Sequence, residues 1–121
     1  MKTCELIEKK SRFIGYIFDV SNQQEATQIL EQLKKEHKKA THVCYAYKIL
    51  CGQEIVKFSD DGEPSGSAGR PILNVIEKTK LENVLVVVVR YFGGIKLGVG
   101  GLFRAYTKSA SMVCEMVKNG N

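Results

Sequence analysis

The run from Asn83 to Val89, NVLVVVV, constrains the fold more than any other segment of this chain. After Asn83 it is apolar at every position, without alternation toward water. That is the pattern of a β-strand covered on both faces. Such a strand is central, so further strands must flank it and helices must cover the sheet. At 121 residues the chain is long enough for one domain with a single core.

The rest of the pattern supplies those neighbours. One or two strands are expected from about Leu6 to Val20, a helix over 23–37, and strands over 41–50 and 54–58, the last two joined by a hairpin turn at Cys51-Gly52-Gln53. A helix over 71–79 follows, with Pro71 in its first turn and Ser67 or Gly69 as cap. The buried strand then runs to Tyr91, and a last helix starts near Gly100. In the first helix Ala26, Ile29, Leu30 and Leu33 form the apolar stripe, and Lys34, Lys35, Lys38 and Lys39 complement its C-terminal dipole without needing a ligand. In the last helix Leu102, Tyr106, Ala110, Val113 and Val117 lie opposite Arg104, Lys108, Ser111 and Glu115. The expected class is α+β, a mixed sheet covered by helices.

Between the apolar strand and the last helix lies RYFGGIKLGVGGLFRAY, residues 90–106. Gly93, Gly94, Gly98, Gly100 and Gly101 allow positive φ and close approach of the backbone to a ligand. No Asp or Glu occurs between Asn83 and Cys114, whereas Arg90, Lys96, Arg104 and Lys108 do. Free N–H groups at a helix N-terminus, the helix dipole and these cations together suit an anion, with phosphate the natural ligand type. The structural alternative is that the glycines serve only close strand-to-helix packing. The Walker pattern and the GxGxxG dinucleotide fingerprint are both absent.

A second dense segment, FSDDGEPSGSAGRP at residues 58–71, reads as a long exposed loop. Asp60, Asp61 and Glu63 could hold magnesium, which takes oxygen ligands and bridges to phosphate. They could instead be solvated around an Asp61-Gly62 turn, or pair with Arg90 or Arg104 across the fold. Ser65, Gly66, Ser67 and Arg70, just before the helix at Pro71, make a second candidate anion cradle.

Other chemistries are poorly supported. The cysteines Cys4, Cys44, Cys51 and Cys114 contain no CxxC pair, and neither His37 nor His42 stands at zinc-finger spacing from them. A Cys44 nucleophile partnered by His42 lacks visible activation of the thiol. Neither Ser65 nor Ser67 sits in GxSxG. The longest apolar run is far short of the roughly 20 residues a membrane-spanning helix needs, and no signal peptide is evident, so a soluble cytoplasmic protein is expected. The net charge of +5 is clustered, with Lys9, Lys10 and Arg12 early and the glycine-loop bases beside Tyr91, Phe92 and Phe103. Basic groups interleaved with aromatics suit single-stranded or looped RNA. Phe103 is expected in the core.

SDDGEPSGSAGRP at 59–71 and VRYFGGIKLGVGGLFRAY at 89–106, with KKSRFIGY at 9–16 and ATHVCYAYKI at 40–49, closely resemble the IMPACT/YigZ family over nearly the whole chain. The resemblance implies a fold similar to the second domain of a small-subunit ribosomal protein and to domain IV of elongation factor G. It also implies that residues 1–121 form the family's N-terminal domain, without the ferredoxin-like second domain of bacterial members. Eukaryotic members regulate translation by competing for the activator of a starvation-responsive initiation-factor kinase, so translation-linked regulation is implied, with no established catalytic residue. The expected function is a regulatory domain that engages RNA or a ribosome-associated factor in a groove between the two glycine-rich loops. Arg90, Lys96, Arg104 and Lys108 would meet phosphates there, with Arg70 at the mouth. No DNA specificity and no cofactor are expected. The rivals are a magnesium-dependent enzyme acting on a phosphorylated or nucleotide-like molecule, as in the small-molecule kinases that share the broad fold, and a protein-partner module.

Overall fold

The structure, a computed structural model, describes residues 2–119. In chain order the elements are β1 (Lys2–Glu8), β2 (Ser11–Asp19), α1 (Gln23–Glu36), β3 (His42–Cys51), β4 (Gln53–Ser59), α2 (Gly69–Lys78), β5 (Val84–Tyr91) and α3 (Gly98–Lys118). The strands form one sheet in the order β1-β2-β5-β3-β4. The apolar run is therefore the central strand, as its composition requires.

The α+β class holds, but the sheet is antiparallel at every pairing instead of mixed. The reason lies in where β5 inserts. β2 and β3 run parallel to one another and are joined through α1, the kind of crossover a parallel pair needs. β5 slots between them and runs against both. The result is a split β-α-β arrangement with no parallel neighbours.

Successive residues of β5 feed opposite cores. Val84, Val86 and Val88 pack with Ile72, Ile76, Tyr106 and Val113 of α2 and α3. Leu85, Val87 and Val89 pack with Ala26, Leu30 and Leu33 of α1. Each of these six β5 side chains is at most 2 % exposed, which a strand with two covered faces demands.

Local chemistry sets the ends. Asn22 caps α1, its side chain accepting from Glu25 N at 2.9 Å. β1 and β2 are two strands joined by a two-residue turn, Lys9-Lys10, with both residues at positive φ (45° and 67°). This conformation usually selects Asn-Gly, so a pair of lysines gives no hairpin signal in the sequence and costs about 1 kcal/mol per residue.

The glycine-rich segment is docked on that turn. A Cβ on Gly93 would lie 1.9 Å from the carbonyl oxygen of Lys10, and Gly93 N donates to Ser11 Oγ at 3.2 Å. Gly93→Ala should force the two loops apart and cost roughly 1–3 kcal/mol, the usual range for overpacking. Urea denaturation checks this; a variant as stable as the parent would mean that the loops do not pack as described.

Candidate anion-binding surface at the start of α3

A buried polar cluster closes the acidic loop over the sheet. Arg90 Nη1 donates to both oxygens of Glu63, at 3.0 and 2.8 Å, and the two residues are only 5 % and 7 % exposed. Tyr106 of α3 donates its hydroxyl to Glu63 Oε2 at 2.5 Å. Ser11 Oγ accepts from the other side of the guanidinium, 3.4 Å from Nε and 3.3 Å from Nη2. The guanidinium also lies 5.5 Å from the ring centres of both Phe13 and Phe92. Of the readings open for the acids, pairing with Arg90 across the fold is the one realised for Glu63.

The other two acids are also engaged by the protein itself. Asp60 accepts from Gly66 N at 2.9 Å, Ala68 N at 3.1 Å and Gly69 N at 2.8 Å. It sits where a ligand anion was expected, at the start of α2. The cap is neither Ser67 nor Gly69 but this carboxylate, eight residues before Ala68, a distance that no local capping pattern reveals. Asp61 Oδ2 accepts from Val43 N at 2.7 Å, and its carbonyl oxygen accepts from His42 Nδ1 at 2.8 Å. Among the described residues no cluster of three or more His, Cys, Asp or Glu is arranged to hold a metal ion. The three carboxylates considered for magnesium thus face separate protein donors.

His42 and Cys44 do not form a nucleophilic pair. His42 Nε2 faces Glu63 Oε1 at 3.4 Å. The Cys44 thiol lies 3.2 Å from the Asp60 carbonyl oxygen and 3.5 Å from the Tyr106 hydroxyl. Burial pushes its pKa up and keeps it protonated. Burial likewise raises the Cys114 thiol, to about 12.

The start of α3 differs from that of α2. Its first residue is Gly98, no side chain caps it, and its first turn contains no acid. Two concave surfaces flank it. One, of about 280 Å³, is lined by Glu8, Lys9, Leu97, Gly101, Arg104, Ala105 and Lys108. The other, of about 450 Å³, lies between the two loops and is lined by Thr41, His42, Glu63, Pro64, Arg90, Phe92 and 96–99, with Leu102. The expected single groove is therefore two.

The predicted cations are divided accordingly. Arg104 and Lys108 share the smaller groove with Lys9, which the sequence places in a basic cluster but not in the site. Lys96 lines the larger cavity. Arg90 is buried at the floor of that cavity, its guanidinium already engaged by Glu63 and Ser11, so it is not free to hold a phosphate. Arg70 lies outside both grooves, exposed at the start of α2 with its guanidinium 5.7 Å over the Phe58 ring. Gly94 and Gly98 hold positive φ, 92° and 74°. Gly100 and Gly101 lie in the first turn of α3, where the Arg104 guanidinium folds back to within 3.4 Å of a Cβ placed on Gly100. Phe103, expected in the core, is 40 % exposed, because the α3 stripe that meets the sheet passes through Leu102 and Tyr106 instead.

The Glu63–Arg90 pair has a measurable consequence. Removing one partner from a buried pair leaves an uncompensated charge, so Arg90→Met should cost about 3–5 kcal/mol, and Glu63→Leu in the same chain should recover much of it. Equilibrium unfolding at neutral pH reads both; an Arg90→Met variant within about 1 kcal/mol of the parent would contradict the pairing. The thiols give a pH prediction. An ordinary thiol ionises near 9.0, so unfolding is favoured above that pH while Cys114 resists ionisation to about 12. Its contribution is full below pH 9.0 and is lost between 9.0 and 12, by up to about 1.4 kcal/mol per pH unit. Stability of the parent minus that of a Cys44→Ala, Cys114→Ala variant, followed across this window, should fall; a flat difference would mean the thiols are not buried.

The glycine-rich segments and the strands around them fall within a known family. A family model, the Impact N-terminal domain, matches residues 9–114. The IMPACT family member YvyE of Bacillus subtilis (strain 168) is 53 % identical over 107 residues, covering 88 % of this chain and 49 % of that protein. The IMPACT family member YigZ of Escherichia coli (strain K12) is 41 % identical over 100 residues, covering 81 % and 49 %. The chain thus spans about half the length of these curated relatives. Among solved structures, a hypothetical protein superposes with a TM-score of 0.87 at 37 % identity over 93 % of this chain and 56 % of that one. The two-domain translational regulator Yih1 does so with a TM-score of 0.61 at 28 % identity, over 93 % and 44 %. The matched residues include both glycine-rich segments and every strand from β2 to β5, and the chain belongs to the Impact N-terminal domain family.

Proposed function

We propose that this domain is a translation-associated regulatory module that binds RNA or a ribonucleoprotein surface through the basic groove at the start of α3. The observation that carries the reading is the contrast between two helix N-termini. That of α2 is filled by the chain's own Asp60 carboxylate. That of α3 has no capping side chain and no acid in its first turn, and the adjoining groove gathers Lys9, Arg104 and Lys108 against the single acid Glu8. The positive dipole end of α3, whose first-turn Gly101 lines this groove, and three cations favour a phosphate chain over a neutral ligand.

The translation link rests on kinship. The solved relative Yih1 is described as a translational regulator, and the family's eukaryotic relatives carry the name IMPACT. RNA or a ribosome-associated factor is the partner class that joins this kinship to the groove's charge. No helix among the described residues is long and apolar enough to cross a membrane, and a cytoplasmic setting accords with a ribosomal partner. A protein partner is the second reading, favoured by the exposed Ile95 and Val99 beside Lys96.

Arg104→Ala with Lys108→Ala tests the groove. Both residues are exposed, so stability should stay within about 0.5 kcal/mol of the parent. Affinity for single-stranded RNA should fall for all sequences alike, and the slope of log K against log salt should shrink by about 1.4, some 0.7 for each phosphate no longer neutralised. Unchanged affinity and slope in the folded double variant would overturn this assignment.

A further inference from the structure

We propose that the larger cavity is a nucleobase pocket, in which one unstacked base of a single-stranded RNA lies against the Phe92 ring while its backbone follows the adjoining basic groove. This rests on the RNA-binding reading and names what the surface takes besides phosphate.

The platform is built in advance. Phe92 is 47 % exposed, yet it is held in place: its N–H donates to Thr41 Oγ1 at 2.9 Å, the next residue is pressed on Lys10, and the Arg90 guanidinium lies 5.5 Å from its ring centre. Arg90 is itself fixed by Glu63 and Ser11. An aromatic ring held this way has little freedom left to lose when a planar group stacks on it. It also keeps a large apolar surface in water until something does.

The cavity suits such a group. Its volume of about 450 Å³ lies within the range of roughly 300–1,000 Å³ typical of small-ligand pockets. Pro64, Leu97, Val99 and Leu102 make apolar walls, and every base has an apolar π-face, so stacking here is tolerant of sequence. The Glu63 charge at the floor is offset by Arg90 and does not repel a nucleotide. Lys96 also lines this cavity, and Leu97 lines both the cavity and the basic groove. The base position and the phosphate position therefore adjoin across Leu97. This cationic surround favours a nucleic acid over an apolar peptide as the occupant.

The chain contains no Trp, so Phe92→Trp introduces a single reporter at the platform. Single-stranded RNA should quench its emission at saturation, and the same backbone without bases should not. Phe92→Ala should weaken RNA binding about 5- to 150-fold, the equivalent of roughly 1–3 kcal/mol, and leave the salt slope unaltered. If the emission of the Phe92→Trp variant is unmoved by saturating RNA, or Phe92→Ala binds as the parent does, while the Arg104→Ala, Lys108→Ala variant still shows its reduced salt slope, the pocket is wrong and the groove stands. If the parent binds no RNA and the Phe92→Trp reporter responds only to an apolar, acidic peptide, both readings fall.

Discussion

The buried ion pair between Glu63 and Arg90 holds together the end of this domain that carries the two glycine-rich segments. A guanidinium and a carboxylate cannot be taken out of water singly, so each requires the other and each requires its remaining hydrogen bonds. Those bonds reach Tyr106 on α3 and Ser11 beside the Lys9-Lys10 turn. The acidic loop, the central strand, the last helix and the first hairpin are thereby tied at one point. Phe13 and Phe92 both lie against the same guanidinium, so the pair also orients an exposed aromatic.

Around that knot the charges are sorted. Asp60 supplies the anion for α2 and Asp61 tethers the start of β3, which leaves the acidic loop internally satisfied. The opposite bank, from the glycine-rich segment into α3, carries no such internal counter-charge in its first turn. A chain with an even distribution of acids would have neutralised it. Here the cations stay outward and the backbone donors stay uncapped, a combination that suits phosphate groups supplied from outside.

Much of this fold was legible because the β5 run is so uniform: an apolar residue at every position leaves no solvent face, and centrality in the sheet follows. Its antiparallel surroundings were not legible, since strand direction depends on where β5 inserts between β2 and β3 and not on composition. The site was legible only by region. Arg90 looks like a phosphate contact in sequence and is a core residue in the fold, because an arginine's role depends on a partner 27 positions away. Asp60 was missed as a cap for the same reason of distance. Lys9 and Lys10 gave no turn signal because their strained conformation is one that lysine seldom adopts. Phe103 was misplaced by helical phase, one residue beyond the buried stripe.

Whether the start of α3 and the neighbouring hairpin turn form an RNA-binding surface can be read from amide shifts of the isotope-labelled chain during titration with single-stranded RNA. Perturbations should concentrate at Lys9 and Lys10 and from Phe92 to Lys108, with α1 and the β4 edge unmoved. Shifts centred on α1 or β4, or none at saturating RNA, would contradict it.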